Sequence, residues 1–283
     1  MGRNEKVRSV QMGMLAAGLV ALVVPAAASA APIISDSFAT GTVGNDINGR
    51  TPDTTDAPGT TWLQNGYYNG TLGGATGSSI YQDQIVSSPS ASLQLGAEAG
   101  DGISLNGVTA ATLTLSYNFN IAADTPNTGT GNGSGLGFFQ NANAGPSGPG
   151  ATAGFSGVLV SMAGAVNLYN NGSIVATGSI SSFNVSNTHS ESYSVNTSTG
   201  AISNLLVDGN AVTLAGTTTG IFTGSNINEF GITNNAGGFG NSFDYITDAV
   251  LSTPSAPEPA SLGLLGVGAA GLLLLRRKPA GKA

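Results

Sequence analysis

The chain holds one histidine, no cysteine and fifteen acids among 283 residues. His189 is the only imidazole available for proton transfer, and neither a thiolate nucleophile nor a cysteine-ligated zinc can be built. A Ser-His-Asp relay needs a serine raised on a tight elbow, for which Gly-x-Ser-x-Gly is the usual signature. Gly154-Phe155-Ser156-Gly157 has the wrong spacing. Asn187-Thr188-His189-Ser190 therefore reads as a loop or strand edge. Glycoside hydrolysis by retention needs two carboxyls about 5 Å apart, which alternate positions on one strand would supply. Glu98, Glu191 and Glu229 each lack an acid two residues away, and Glu98 and Asp101 flank a glycine in a turn-like sequence. These acids are expected to be solvated loop charges, and no catalytic residue is assigned.

Binding chemistry has more candidates. Loop acids acting with backbone carbonyls can hold Ca²⁺, and Asp46, Asn48, Asp53 and Asp56 form the candidate set. Ordinary turn formation accounts for the same residues. Trp62 with Tyr67 and Tyr68 offers aromatic faces for a sugar ring, although an indole is more often packed inside. Cofactor need is otherwise absent from the sequence.

Charge excludes one class of partner. Of the eight basic residues only Arg50 lies between Ala31 and Ala256, where it faces thirteen acids, a net of −12. Nucleic-acid binding requires cations to neutralise phosphates, and this body has none to spare.

The remaining basic residues sit at the two ends and read as delivery signals. Arg3, Lys6 and Arg8 precede an apolar run from Met12 to Val24, and Ala28-Ser29-Ala30 supplies small residues at −3 and −1. Residues 1–30 are thus expected to be a signal peptide cut after Ala30 by signal peptidase. At the other end Ala260–Leu275 is apolar but for Ser261 and runs into Arg276-Arg277-Lys278. Its sixteen residues would rise about 24 Å as a helix, short of a ~30 Å hydrocarbon core, so spanning requires local thinning. The basic cluster is expected to stop transfer and stay cytoplasmic, as residues 276–283, leaving the preceding body outside. Pro257-Glu258-Pro259, within a linker at 254–259, should be extended, because proline fixes φ and removes donors.

Tripeptide, short apolar helix and Arg cluster, in that order over Pro257–Lys278, resemble the PEP-CTERM sorting signal of Gram-negative, biofilm-forming bacteria. The resemblance implies that a membrane protease, an exosortase, recognises Pro257, Glu258 and Pro259 and releases or transfers the body. It also implies an inner-membrane precursor, a cell-surface or matrix destination and association with exopolysaccharide.

Residues 31–253 between these signals are expected to be all β. Apolar residues recur every second position, and Gly, Asn, Ser and Thr interrupt every helical pattern. Leu113, Leu115, Tyr117, Phe119 and Ile121 alternate with polar residues and predict one strand with a buried and a polar face. Further strands are predicted over Ile33–Phe38, Gly135–Gln140, Ala165–Tyr169, Ser190–Asn196, Ala201–Val207, Ala211–Leu214, Ile227–Thr233 and Ser242–Ser252. Asn171-Gly172 and Asp208-Gly209 predict tight hairpins, since both dipeptides tolerate positive φ. Asp124–Pro149, apart from Leu136–Phe139, reads as a long surface excursion. All ten Phe, all seven Tyr and Trp62 fall in this body, enough aromatic mass for an antiparallel β-sandwich core.

Ser35-Asp36-Ser37-Phe38, then Asn48-Gly49-Arg50-Thr51-Pro52 and Thr61-Trp62, resemble the first hairpin of concanavalin A-like (laminin-G-like) jelly rolls. The rhythm from Gly157 to Gly172, then Leu205–Gly209 and Phe243–Ile246, is similar to the same family. That resemblance implies a jelly roll and lectin-like carbohydrate binding. The expected role is a non-enzymatic surface or matrix protein; the alternative is a Ca-dependent carbohydrate-binding module, and a glycan-active enzyme comes third.

Overall fold

A computed structural model describes residues 32–45, 47–56, 60–65, 84–87, 91–96, 99–105, 108–123, 133–140, 154–235 and 242–254. All of them belong to one compact unit, Ser29–Ser255. The opening strands are β1 (Pro32–Asp36), β2 (Thr54–Thr55), β3 (Trp62–Asn65), β4 (Gln84–Val86), β5 (Ser92–Leu95) and β6 (Ala99–Ser104). The middle holds β7 (Thr112–Ala123), β8 (Gly133–Phe139), β9 (Phe155–Ser161), β10 (Ala165–Asn170) and β11 (Ser173–Ser179). The last are β12 (His189–Asn196), β13 (Ala201–Val207), β14 (Asn210–Ala211), β15 (Ala215–Gly216), β16 (Glu229–Asn235) and β17 (Ser242–Ser252).

These strands make two antiparallel sheets. One runs β14-β13-β12-β7-β17-β1-β2, with β5 also on β17 and β4 on β5; the other runs β15-β11-β10-β9-β8-β16-β6-β3. Strand β7 carries the predicted alternation: Leu113, Leu115, Tyr117, Phe119 and Ile121 are all buried, and the residues between them are half-buried. Those five meet Leu136, Phe138, Val158, Val160, Phe230 and Ile232 of the second sheet in one core. The jelly-roll reading therefore holds as an antiparallel sandwich.

Both two-residue hairpins form as expected. Asn171 (φ 48°) and Gly172 (φ 83°) close β10 onto β11, with Asn170 opposite Ser173. Asp208 (φ 51°) and Gly209 (φ 73°) close β13 onto β14, with Val207 opposite Asn210. Positive φ at both central positions matches the right-handed twist of the flanking strands. Strand β17 changes partner midway. Its first half pairs β5 and its second half β1, around a bulge where Asp248 takes φ 54°.

Several expectations are corrected. The strand predicted over Gly135–Gln140 forms as β8, fully buried inside the second sheet, but it begins at Gly133, inside the stretch read as a surface excursion. The predicted Ala211–Leu214 strand shrinks to Asn210–Ala211, beyond which Val212 N–H still donates to the Leu205 carbonyl at 3.0 Å. Ser35–Phe38 does not form a hairpin with Asn48–Pro52; β1 lies between β17 and β2 instead.

The second sheet is covered on both faces, and glycine makes this possible. Phe139, Phe155, Leu159 and Tyr169 form a separate buried cluster on the face away from the core. The Phe155 ring lies over Gly135, Gly137 and Gly157: a Cβ added at Gly157 would stand 2.5 Å from the ring and 2.4 Å from the Leu136 carbonyl oxygen. Gly157→Ala should therefore cost about 1–3 kcal/mol through overpacking. Gly209→Ala, where space is open but φ is +73°, should cost about 1–2 kcal/mol through backbone strain alone. Urea unfolding of the two variants distinguishes the two mechanisms: trimming Phe155 to Leu should recover part of the loss at Gly157, where the Leu136 carbonyl oxygen stays at 2.4 Å, and none of the loss at Gly209.

Candidate functional site

The proposed metal-binding loop is organised around a carboxylate that was not in the predicted set. Asp36 ends β1 with its side chain fully buried. Its Oδ1 accepts from Phe38 N–H at 2.8 Å and Arg50 Nη2 at 2.7 Å, and its Oδ2 from Arg50 Nε at 3.0 Å and Trp62 Nε1 at 2.8 Å. The hydrogen bond with Asp36, more than the opposing burial, holds the Arg50 guanidinium above its ordinary proton affinity. Arg50 Nη2 also reaches Thr40 Oγ1 at 3.2 Å and Asp53 Oδ1 at 3.3 Å.

Asp53 is thereby committed inward. Its Oδ2 accepts from the Ser37 backbone N–H at 2.9 Å and from the Ser37 hydroxyl, and its Oδ1 from Thr40 Oγ1 at 2.9 Å. Burial raises the Asp53 carboxyl, but hydrogen bonds from Ser37 and Thr40 and the Arg50 charge outweigh it, leaving the group below the ordinary carboxylate range. A metal ion at Asp53 would have to compete with these donors beside a fixed guanidinium. Asn48 and Asp56 are exposed, and Asp46 lies outside the described residues. Among the described residues no three acidic or imidazole groups converge as a metal site.

Trp62 is not a sugar platform. The indole is completely buried, packed 5.5 Å from Phe38 and 6.3 Å from Phe230 between ring centroids, and its N–H is spent on Asp36. Tyr67 and Tyr68 lie outside the described residues.

His189 opens β12 and is buried. Its Nδ1 lies 2.8 Å from Asp208 Oδ2 and its Nε2 lies 2.8 Å from the Asn184 carbonyl oxygen. Phe183 stacks on the ring at 4.1 Å between centroids, with Phe119 at 5.6 Å. The nitrogen that would activate a serine faces a backbone carbonyl, so no Ser-His-Asp relay is assembled here.

The acids expected in solvent are also misplaced by that expectation. Asp101, Glu191 and Glu229 stand on strands and are buried, as is Asp244, while Glu98 lies outside the described residues. On β12 the inward positions are His189, Glu191, Tyr193 and Val195. Glu191 thus follows the phase of the apolar pattern, a signal present in the sequence. Asp244 precedes Ile246 on the same inward face of β17. The position of each was legible from alternation; its burial ran against the usual exposure of acids.

Residues 255–278 match the PEP-CTERM protein-sorting motif, which marks an exported protein. Pro257, Glu258, Pro259 and the Arg276-Arg277-Lys278 cluster fall within that match and outside the described residues; the cleavage residues Ala28 and Ala30 also lie outside the described residues. Among the described residues no helix is long and apolar enough to cross a membrane. No curated protein matches the chain. Among solved structures it is similar to the Emp47p carbohydrate recognition domain, at 11% identity and TM-score 0.42, over 78% of this chain and 97% of that one. It is also similar to domain 4 of AbnA, an extracellular arabinanase from Geobacillus stearothermophilus, solved with arabinotriose. That match has 15% identity and TM-score 0.41 over 83% and 98% of the two chains. Lectin II from Ulex europaeus matches at 11% identity and TM-score 0.38, over 57% and 82%.

The buried node around Asp36 makes a direct prediction. Arg50→Met leaves an unpaired carboxylate between Phe38 and Trp62 and should cost about 3–5 kcal/mol. Arg50→Lys should recover only part of this, because one ammonium cannot replace the paired Nε and Nη2 bonds. Denaturant unfolding followed by the emission of Trp62, the only tryptophan, measures both.

Proposed function

We propose that the protein is a non-enzymatic component of the cell surface or extracellular matrix of a Gram-negative bacterium, delivered as a precursor with a signal at each end. Signal peptidase removes residues 1–30, an exosortase acts at Pro257-Glu258-Pro259, and the sandwich then resides in or on the exopolysaccharide layer. The sorting motif at 255–278 carries this reading. It begins three residues after the last residue of β17, Ser252, so processing there would leave every described strand intact. The interior agrees with a passive role: His189 is spent on Asp208 and Asn184. The −12 body suits neutral glycans and cations better than anionic lipid.

Calcium-dependent recognition of a glycan is the competing reading. A completely buried Trp62 does not support it, which leaves Asp46, Asn48, Asp53, Asp56, Tyr67 and Tyr68 to carry it. Mass spectrometry of the protein recovered outside the cell should find a chain beginning at Ala31 and lacking Arg276-Arg277-Lys278. Recovery of a chain that retains those three residues overturns the processing claim. A glycan array probed with and without EDTA separates the two readings: binding lost in EDTA selects the lectin, and binding in neither condition removes it.

A further inference from the structure

The body has one cation and one imidazole, and both are already committed. Arg50 is held by Asp36 and Asp53, and His189 by Asp208 and the Asn184 carbonyl. Two further carboxyl groups are nevertheless enclosed between the sheets. Glu191 on β12 is 1% exposed and Asp244 on β17 is 0% exposed. None of their four oxygens has a hydrogen-bond partner of acceptable geometry.

Their surroundings supply no positive charge. Glu191 stands opposite Tyr117 of β7 and Val207 of β13, with Tyr193 and His189 two residues away on its own strand. Asp244 stands opposite Ile121 of β7 and Leu95 of β5, and the Ser134 hydroxyl of β8 is the donor beside it. From β16, Asn234 reaches the Leu95 carbonyl at 3.4 Å. Asp101, on β6 of the second sheet, is buried too and, being an acid, supplies no positive charge. An ionised carboxylate held without a cation or an aligned donor costs several kcal/mol in such an interior.

We propose that the sandwich is built around Glu191 and Asp244 as neutral carboxylic acids, which makes it an acid-favoured fold that loosens as the solution becomes alkaline. Burial pushes the Asp244 carboxyl up to about 8 and holds Glu191 well above the ordinary carboxylate range. Because the folded groups keep their protons at a pH where the unfolded chain has lost them, their contribution is complete below the ordinary carboxylate range. For Asp244 it is lost as pH rises from there to about 8. Asp53, shifted downward, acts in the opposite sense and loses its contribution only as pH falls below that range.

Thermal unfolding of the exported protein between about pH 5 and about pH 8.5 tests this. The melting temperature should fall steadily across the range, equally in Ca²⁺ and in EDTA. Asp244→Asn and Glu191→Gln should each flatten the fall. Unfolding of the unaltered protein in weakly buffered solution near neutrality should release protons, a readout that survives if either variant fails to fold. A melting temperature independent of pH, or no proton release, overturns the proposal. So does a fall abolished by Ca²⁺, because the carboxyls would then be ionised around a cation.

Discussion

The carboxylate of Asp36 organises the charge distribution of the whole body. It belongs to β1 of one sheet, and the indole that donates to it belongs to β3 of the other. One buried anion therefore ties the two layers of the sandwich together and holds the loop that carries Arg50. Such a group is tolerable because four donated hydrogen bonds, two of them from the paired guanidinium, replace its water. Its cost is that the only cation between Ala31 and Ala256 is used up. Every other acid must then be solvated, satisfied by neutral donors, or kept protonated. Asp53 takes Ser37 and Thr40, Asp208 takes the Ser190 N–H and His189, and Asp248 takes the Asn118 amide at 3.0 Å. Glu191 and Asp244 are left with only hydroxyl neighbours, and the third option falls to them.

Glycine, 43 residues of the chain, serves two separate ends. At Gly172 and Gly209 it supplies positive φ for hairpins. At Gly135, Gly137, Gly157 and Gly231 the backbone is ordinary strand, and the missing side chain is what matters. Aromatic rings of Phe155 and Phe139 occupy the space where Cβ atoms would stand. An antiparallel sheet commonly leaves one face wet; here the central strands of the second sheet are dry on both sides.

Much of this was legible in the sequence wherever a local rule governed the outcome. Period-two alternation placed β7 and gave the ends of β17, and the two Asn-Gly and Asp-Gly turns placed their hairpins. What escaped depended on partners far along the chain. Asp36 and Trp62 are 26 residues apart and Asp36 and Arg50 are 14 apart, so no window of sequence shows that they meet. Trp62 was weighed both as a sugar platform and as core, and only the meeting with Asp36 and Phe230 decides between them. The start of β8, Gly133 and Ser134, reads as loop in the sequence because its small residues resemble turn formers, whereas the rest of the strand carries Leu136, Phe138 and Phe139. Glu191 was readable by phase but not by type: alternation assigns a face, whereas composition treats an acid as solvent-exposed.

The pairing of β1 with β17 constrains how the chain reaches this state. Pro32 lies opposite Ser252 and Asp36 opposite Ala249, so the first described strand is completed by the last. Until the chain extends to Ser252, Ile34 has no neighbour on that side and one edge of β7 lacks its strand partner. Closing a loop of this length is entropically costly, and pairings of such large sequence separation form slowly. A body with a net charge of −12 is suited to the interval before that pairing forms, because mutual repulsion keeps unfolded chains from pairing with one another.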